Sequence, residues 1–181
     1  MNLKIIILSI ILLFITYYLF RLLWSIAHPK RAVLISTNTK HVKKLFLKVI
    51  NDYVPDTKKT TFLEIGAGYA KMTRIAAYHY SWKSIVALEL KWSVVTFIKL
   101  RNIFHKYPIH FLAKDIFKYE ISQNSVVYSY MTTSIINKLY EMNKFNGCLV
   151  ISLSFMINGL TPTAAFKVDG FQKKLYVYDF R

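Results

Sequence analysis

The chain has 181 residues, with 25 basic against 9 acidic side chains, a net charge of +16 and an apolar content of 54%. Its single cysteine, Cys148, excludes a disulfide framework and a thiolate metal centre, and the five histidines show no paired ligand spacing, so no metal site is expected. The positive charge is scattered, with no basic run longer than two. This distribution favours an anionic lipid surface as partner, at about 1 kcal/mol per juxtamembrane basic group. Nucleic acid takes second place, because no recognition module accompanies the charge.

The chain opens with "LKIIILSIILLFITYYLFRLLWSIA", uncharged from Ile5 to Phe20. That is close to the roughly 20 apolar residues that a bilayer core demands. A transmembrane anchor is therefore expected over residues 1–27. A cleaved signal peptide ending at Ser25-Ile26-Ala27 is the alternative, but the apolar run exceeds the roughly 7–15 residues of a signal core. Only Lys4 precedes the span, whereas Lys30, Arg31, Lys40, Lys43 and Lys44 follow it. The positive-inside rule then predicts a single-pass membrane protein whose remaining residues face the cytoplasm.

Residues 28–60 read as a linker and an amphipathic helix. Val42, Leu45, Phe46, Val49 and Ile50 recur at helical spacing between Lys40 and Asn51, with Asn38 or Thr39 as cap. Residues 61–181 then alternate. Strands are expected at Thr61 to Ile65, Ser84 to Leu90, Ile109 to Ala113, Ser125 to Tyr130, Gly147 to Phe155 and Lys174 to Phe180. Helices are expected at Tyr69 to Tyr80, Trp92 to His105 and Thr132 to Lys144. A further strand near Ala164 to Val168 turns back through Asp169-Gly170. Such alternation predicts an α/β fold, a doubly wound, mostly parallel sheet covered on both faces, with an antiparallel C-terminal strand. Cys148 lies inside a strand and reads as a small core residue.

The first strand runs into a glycine turn, "TFLEIGAGYAKM". A triphosphate loop would end in Gly-Lys-Ser/Thr, which is absent, and a dinucleotide fingerprint would carry its third glycine where Lys71 stands. Instead Glu64 stands two residues before Gly66-Ala67-Gly68, and Glu89 closes the second strand. Glycines let backbone pass close beneath a ligand, and carboxylates accept from hydroxyls and amines in charge-assisted hydrogen bonds. A nucleoside carrying an amino group and no phosphate suits such a site; S-adenosylmethionine is one.

On these residues the chain resembles the class I, seven-strand S-adenosylmethionine-dependent methyltransferases, over roughly Lys40 to Phe180, and a Rossmann-like sheet is implied. The resemblance implies that Glu64 and the turn Gly66-Ala67-Gly68 border the methionine moiety. It assigns the ribose hydroxyls to Glu89, and places Asp115 of "FLAKDIF" near the adenine amine. Tyr128, Tyr130 and Met131, at the end of the fourth strand, stand where the family transfers the methyl group, with Tyr130 and Met131 as the catalytic candidates. The apolar start, "KHVKKLF" and the terminal "LYVYDF" look like small membrane-bound relatives of the protein-lysine methyltransferases of the mitochondrial inner membrane. The family's third small position is Ala70, and its acid-glycine-arginine ending is replaced by Tyr69-Ala70-Lys71.

Three functional readings follow. The first is a membrane-anchored methyltransferase acting on a lysine of a protein substrate, membrane proteins included. The second is a degenerate fold that serves as a membrane-associated interaction module. The third is a nucleic-acid methyltransferase, motivated by charge alone. In each catalytic case the sulfonium is already activated, so the protein supplies proximity and orientation.

Overall fold

A computed structural model describes residues 7–18, 39–105, 107–168 and 173–181. The chain divides into two units, Met1–Ile35 and Ser36–Arg181. In the first, residues 7–18 form a helix, α1. In the second, the order is α2 (Thr39–Tyr53), β1 (Thr61–Ile65), α3 (Lys71–His79), β2 (Ser84–Glu89), α4 (Trp92–Ile103), β3 (His110–Ala113), β4 (Ser125–Ser129), α5 (Thr133–Glu141), β5 (Cys148–Leu153), β6 (Ala164–Lys167) and β7 (Lys174–Asp179). Short 3-10 turns precede β1 and follow β3.

Parallel strands buried on both faces read as continuous apolar runs, and β4 and β5 are buried at every residue. The seven strands lie in the order β3-β2-β1-β4-β5-β7-β6. β1 to β5 pair in parallel, while β7 runs antiparallel to both β5 and β6. The chain steps outward from β1 to β3 and returns on the other side of β1 to make β4. The reversal creates a topological switch point between β1 and β4, where open α/β sheets bind ligands beyond their strand ends.

Alternation along each strand sorts the core into two layers. Phe62, Val126, Tyr128, Leu149 and Ile151 join the layer packed by α2 and α3. Their neighbours Leu63, Val127 and Val150 point into the layer packed by Ile136 and Leu139 of α5. A smaller cluster of Ala67, Ala70, Val95, Ile98 and Phe111 seats α4 beside the glycine turn. Helix α2, expected in a connecting segment, is part of this core: Val42, Phe46, Val49 and Ile50 are buried. The Phe46 ring meets Phe62 and Tyr128 edge-on at 5.7 and 5.9 Å.

The expected anchor is corrected. Among the described residues, no helix is long and apolar enough to cross a membrane. The described helix over 7–18 rises roughly 18 Å at 1.5 Å per residue, against a hydrocarbon core of about 30 Å. Residues 1–6 and 19–38 of the expected span and its basic flank, Lys30 and Arg31 among them, lie outside the described residues, as does the Asp169-Gly170 turn. The single-pass placement with a cytoplasmic domain is therefore not carried forward.

Two elements are shorter than expected where the backbone turns left-handed. Ala70 at φ 51° delays α3 to Lys71, and Ser154 at φ 71° terminates β5 before Phe155. An L residue loses about 1–2 kcal/mol there.

Replacing Phe46 by Ala removes a buried ring from the centre of the α2 layer and should destabilise the domain by about 3–5 kcal/mol. Urea unfolding followed by circular dichroism measures this. A change below about 1 kcal/mol would show that α2 is not part of the folded unit.

Candidate functional site: a glycine turn held by two carboxylates

The parallel register lines up the C-terminal ends of four strands. Ile65 stands opposite Leu88 on one side and Ser129 on the other, and Glu89 stands opposite Ala113. The backbone continues this ladder past the strands, with Ala67 N–H donating to Leu88 at 2.9 Å and Lys114 N–H donating to Glu89 at 3.1 Å. Gly66 to Ala70, Glu89, Asp115, Tyr130 and Met131 thereby share one edge of the sheet.

The turn is left-handed at three alternate positions: Gly66 (φ 65°), Gly68 (φ 50°) and Ala70 (φ 51°). At Gly66 the requirement is also spatial. A Cβ there would lie 3.1 Å from Sδ and 3.2 Å from Cγ of Met131, whose side chain covers the turn. Ala70, at the third small position, is fully buried and precedes α3 without a side-chain cap. Tyr69 turns outward and meets Phe97 of α4 edge-on at 6.1 Å.

Because Ala70 cannot cap α3, the first-turn amides need another acceptor. Glu64 supplies it from β1. Its Oε2 accepts from the Thr73 amide at 2.7 Å and from the Thr73 hydroxyl. The carboxylate thus sits at the positive end of the helix. Burial pushes the Glu64 carboxyl up to about 7, against the lowering effects of the Thr73 hydroxyl and amide and of the Arg74 charge.

Glu89 ties the other side of the turn. Its Oε2 accepts from the Gly68 amide at 3.0 Å and its Oε1 from the Lys91 amide at 3.0 Å. One carboxylate therefore clamps the turn to the end of β2 and the entry to α4. Asp115 is half-buried at the same edge, where its Oδ1 accepts from the Phe117 amide at 3.0 Å and opens a 3-10 turn. The structure brings Glu64, Gly66, Ala67, Gly68, Glu89, Asp115 and Met131 to this edge, with Glu64 turned toward the start of α3.

Two participants were not legible in the sequence. Ser129, buried at the end of β4 opposite Ile65, has an Oγ with no hydrogen-bond partner among the described residues. The only trace it leaves in the sequence is a small polar residue closing an apolar run. Lys173 donates to the Tyr130 hydroxyl at 2.6 Å and lies 4.8 Å from the ring centroid. Phe155 meets the same ring at 5.9 Å, so Tyr130, Phe155 and Lys173 form an aromatic and cationic wall beyond β4 and β5.

No family model matches the chain, and no curated protein matches it in sequence. Solved structures do. An RNA methyltransferase from Salinibacter ruber, in complex with S-adenosyl-L-homocysteine, superposes with a TM-score of 0.67 at 20% identity, covering 81% of this chain and 94% of that one. A ribosomal protein L11 methylase from Lactobacillus delbrueckii subsp. bulgaricus gives 0.62 at 14% identity and 81% coverage of both chains. TrmK of M. capricolum, in complex with S-adenosyl-homocysteine, gives 0.57 at 12% identity, covering 82% of this chain and 70% of that one. The chain therefore has the Rossmann-like fold of the S-adenosylmethionine-dependent methyltransferases.

Two outcomes test this arrangement. Because the Glu64 carboxyl is raised from 4.5 to about 7 in the folded chain, the folded state holds that proton more tightly than the unfolded state. Its contribution to stability is complete below about 4.5 and is lost as pH rises through about 7. The urea midpoint should fall from pH 4.5 to pH 7.5, and Glu64→Gln should flatten that component; an identical pH profile in the variant would contradict the assignment. Separately, Gly66→Ala should cost about 1 kcal/mol or more in a thermal melt, and an unchanged melt would mean that Gly66 is not held left-handed.

Proposed function

We propose that the chain is an S-adenosylmethionine-dependent methyltransferase acting on nucleic acid, with RNA as the favoured substrate. The observation that carries the catalytic reading is the glycine turn clasped between Glu64 and Glu89 at the switch point of the sheet. The substrate reading is supported by the net charge of +16, by the RNA methyltransferases among the structures of this fold, and by the Tyr130–Phe155 wall, since aromatic faces stack nucleobases. The lysine reading rested on resemblance at the chain ends. Its anchor is corrected above.

The residues fit the cofactor. A carboxylate has about four acceptor positions, and the Gly68 and Lys91 amides use two of those on Glu89. The rest can accept from vicinal ribose hydroxyls. Gly68 keeps side-chain volume out of the turn over which a methionine moiety would lie, and the absence of a Cβ at Gly66 makes room for the Met131 side chain. Ser129 Oγ is buried without a hydrogen-bond partner among the described residues, and Asp115, whose Oδ1 accepts from the Phe117 amide, is the candidate acceptor for the adenine amine.

When bound, the cofactor would supply an electrophilic methyl group on a sulfonium: a nucleobase nitrogen would take that methyl as the carbon–sulfur bond breaks, the sulfur leaving as a neutral thioether, and the nitrogen would give up its proton to water. The chain's part is placement. Tyr130, held by Lys173 and Phe155, offers a face on which a base can stack. Met131 closes the space above Gly66 with apolar atoms and limits water at the reacting edge. Such orientation accounts for a large share of the barrier in reactions that need little acid-base help.

Incubation with tritiated S-adenosylmethionine and a total extract, followed by nuclease or protease, tests the proposal. Label should be released by nuclease. Label released only by protease would assign the enzyme to a protein substrate. In titration calorimetry Glu89→Ala should weaken S-adenosylmethionine binding roughly 10- to 100-fold, the loss of charge-assisted hydrogen bonds, with partial recovery in Glu89→Gln. Wild-type protein that fails to bind the cofactor at millimolar concentration would leave the fold acting as an interaction module.

A further inference from the structure

Away from the sheet edge, a groove of about 380 Å³ opens between α2, α3 and α4. Among the described residues its charged lining is basic: Lys43 from α2, Lys71 and Arg74 from α3 and Arg101 from α4, with the imidazoles of His79 and His105 beside them. The aromatic rings of Tyr78 and Tyr107 and the side chain of Ile75 add to it, and no carboxylate among the described residues lines it.

Several observations show that these cations are not there to serve one another. Asp56 pairs with Lys59, Glu120 with Lys144 and Asp179 with Arg181, and Lys43, Arg74 and Arg101 take part in none of these ion pairs. Arg74 Nη1 is buried without a hydrogen-bond partner among the described residues, an arrangement that costs free energy unless something occupies it. Burial, and then the charge of Arg101, push the Arg74 guanidinium below its usual range, with only Glu64 and Tyr107 acting in the opposite direction. Two guanidinium groups that repel each other across a groove want an anion between them, and the planar fork of arginine matches phosphate oxygens.

The aromatic lining narrows the anion's source. Tyr78 is 70% exposed and its ring stands edge-on to His79 at 4.9 Å. The His105 and Tyr107 rings stack at 5.9 Å with 8° between their planes. A positively charged groove with aromatic faces along it is the arrangement by which single strands are held, phosphates by the cations and bases by the rings. Position agrees. Lys71 is the first residue of α3, directly after the glycine turn, and His79 is the last, so the groove lining runs along the helix for roughly 13 Å away from the reacting edge, with the cations Lys71 and Arg74 in its first turn.

We infer that the groove between α2, α3 and α4 is a docking site for the phosphate backbone of a single-stranded nucleic acid, with Arg74 and Arg101 as the paired phosphate ligands and Tyr78 and Tyr107 as stacking surfaces. The inference rests on the nucleic-acid reading above and adds where the substrate is held while a base reaches the edge at Tyr130.

The test uses the full chain, a fluorescent single-stranded RNA of about 20 nucleotides and anisotropy titrations between about 50 and 200 mM KCl, with S-adenosylmethionine binding measured alongside by calorimetry. Arg74→Gln/Arg101→Gln should weaken RNA binding at least roughly 10-fold at low salt. Its log-log salt slope should become shallower by about 1.4, two single-strand phosphate contacts, with cofactor binding unchanged. Lys43→Gln/Arg101→Gln, which spares the half-buried Arg74, should shift affinity and slope in the same direction and guards against a folding defect in the first variant. Wild-type affinity and slope in both variants would overturn the groove even if RNA is methylated. Anionic vesicles bound more tightly than RNA, through the same residues, would overturn the nucleic-acid assignment. Methyl transfer into protein together with variant-sensitive RNA binding would defeat the proposed substrate and leave the groove standing.

Discussion

The candidate site depends on a helix that cannot cap itself. Ala70 enters α3 in a left-handed conformation with no side-chain oxygen to offer, and the first-turn amides of a buried helix must be met. Glu64 meets the Thr73 amide from the neighbouring strand. That one carboxylate joins β1 to α3 across the turn, so the path of Gly66 to Ala70 is set at both ends. The same bonds give Glu64 a structural reason to be present that is independent of any ligand. Its raised pKa, near 7, measures how far burial outweighs the partners it has found.

Glu89 performs the reciprocal task with spare capacity. It holds Gly68 and Lys91 through their amides, which pulls the turn against the end of β2 and leaves acceptor positions for hydroxyls. The two acids are thus not equivalent. One is consumed by the fold at the root of α3, and the other links the fold to whatever lies over the turn. The sheet edge divides in the same way, into a polar cradle at the ends of β1, β2 and β3 and an aromatic wall of Tyr130 and Phe155 beyond β4 and β5. The reversal of strand order between β1 and β4 puts the two halves side by side.

The excess positive charge also acquires a place. Spread through the sequence, it suggested a lipid surface; in the fold, four of its members converge with two histidines and two tyrosines on one groove. Like charges brought together repel one another, and an anion bound among them relieves that repulsion.

Much of the architecture was legible in the chain itself. Apolar runs at Ser125 to Tyr130 and Gly147 to Phe155 announce the two central strands, and the 3.6-residue spacing of Val42, Leu45, Phe46, Val49 and Ile50 announces α2; both signals are local, set by the period of one element. The glycine turn with acids at 64 and 89 was legible for the same reason, since a left-handed turn restricts its own residues. The long apolar start was read as an anchor on length and hydropathy, and no described helix has the length to cross a membrane. What only the tertiary structure decided involves partners distant in sequence: Glu64 engaged by Thr73, Ser129 buried without a partner among the described residues, Lys173 on Tyr130, and the meeting of Lys43, Arg74 and Arg101. Those pairings follow from strand register and from the packing of helices against a common sheet, and no periodicity within a single segment encodes which distant side chain will face it.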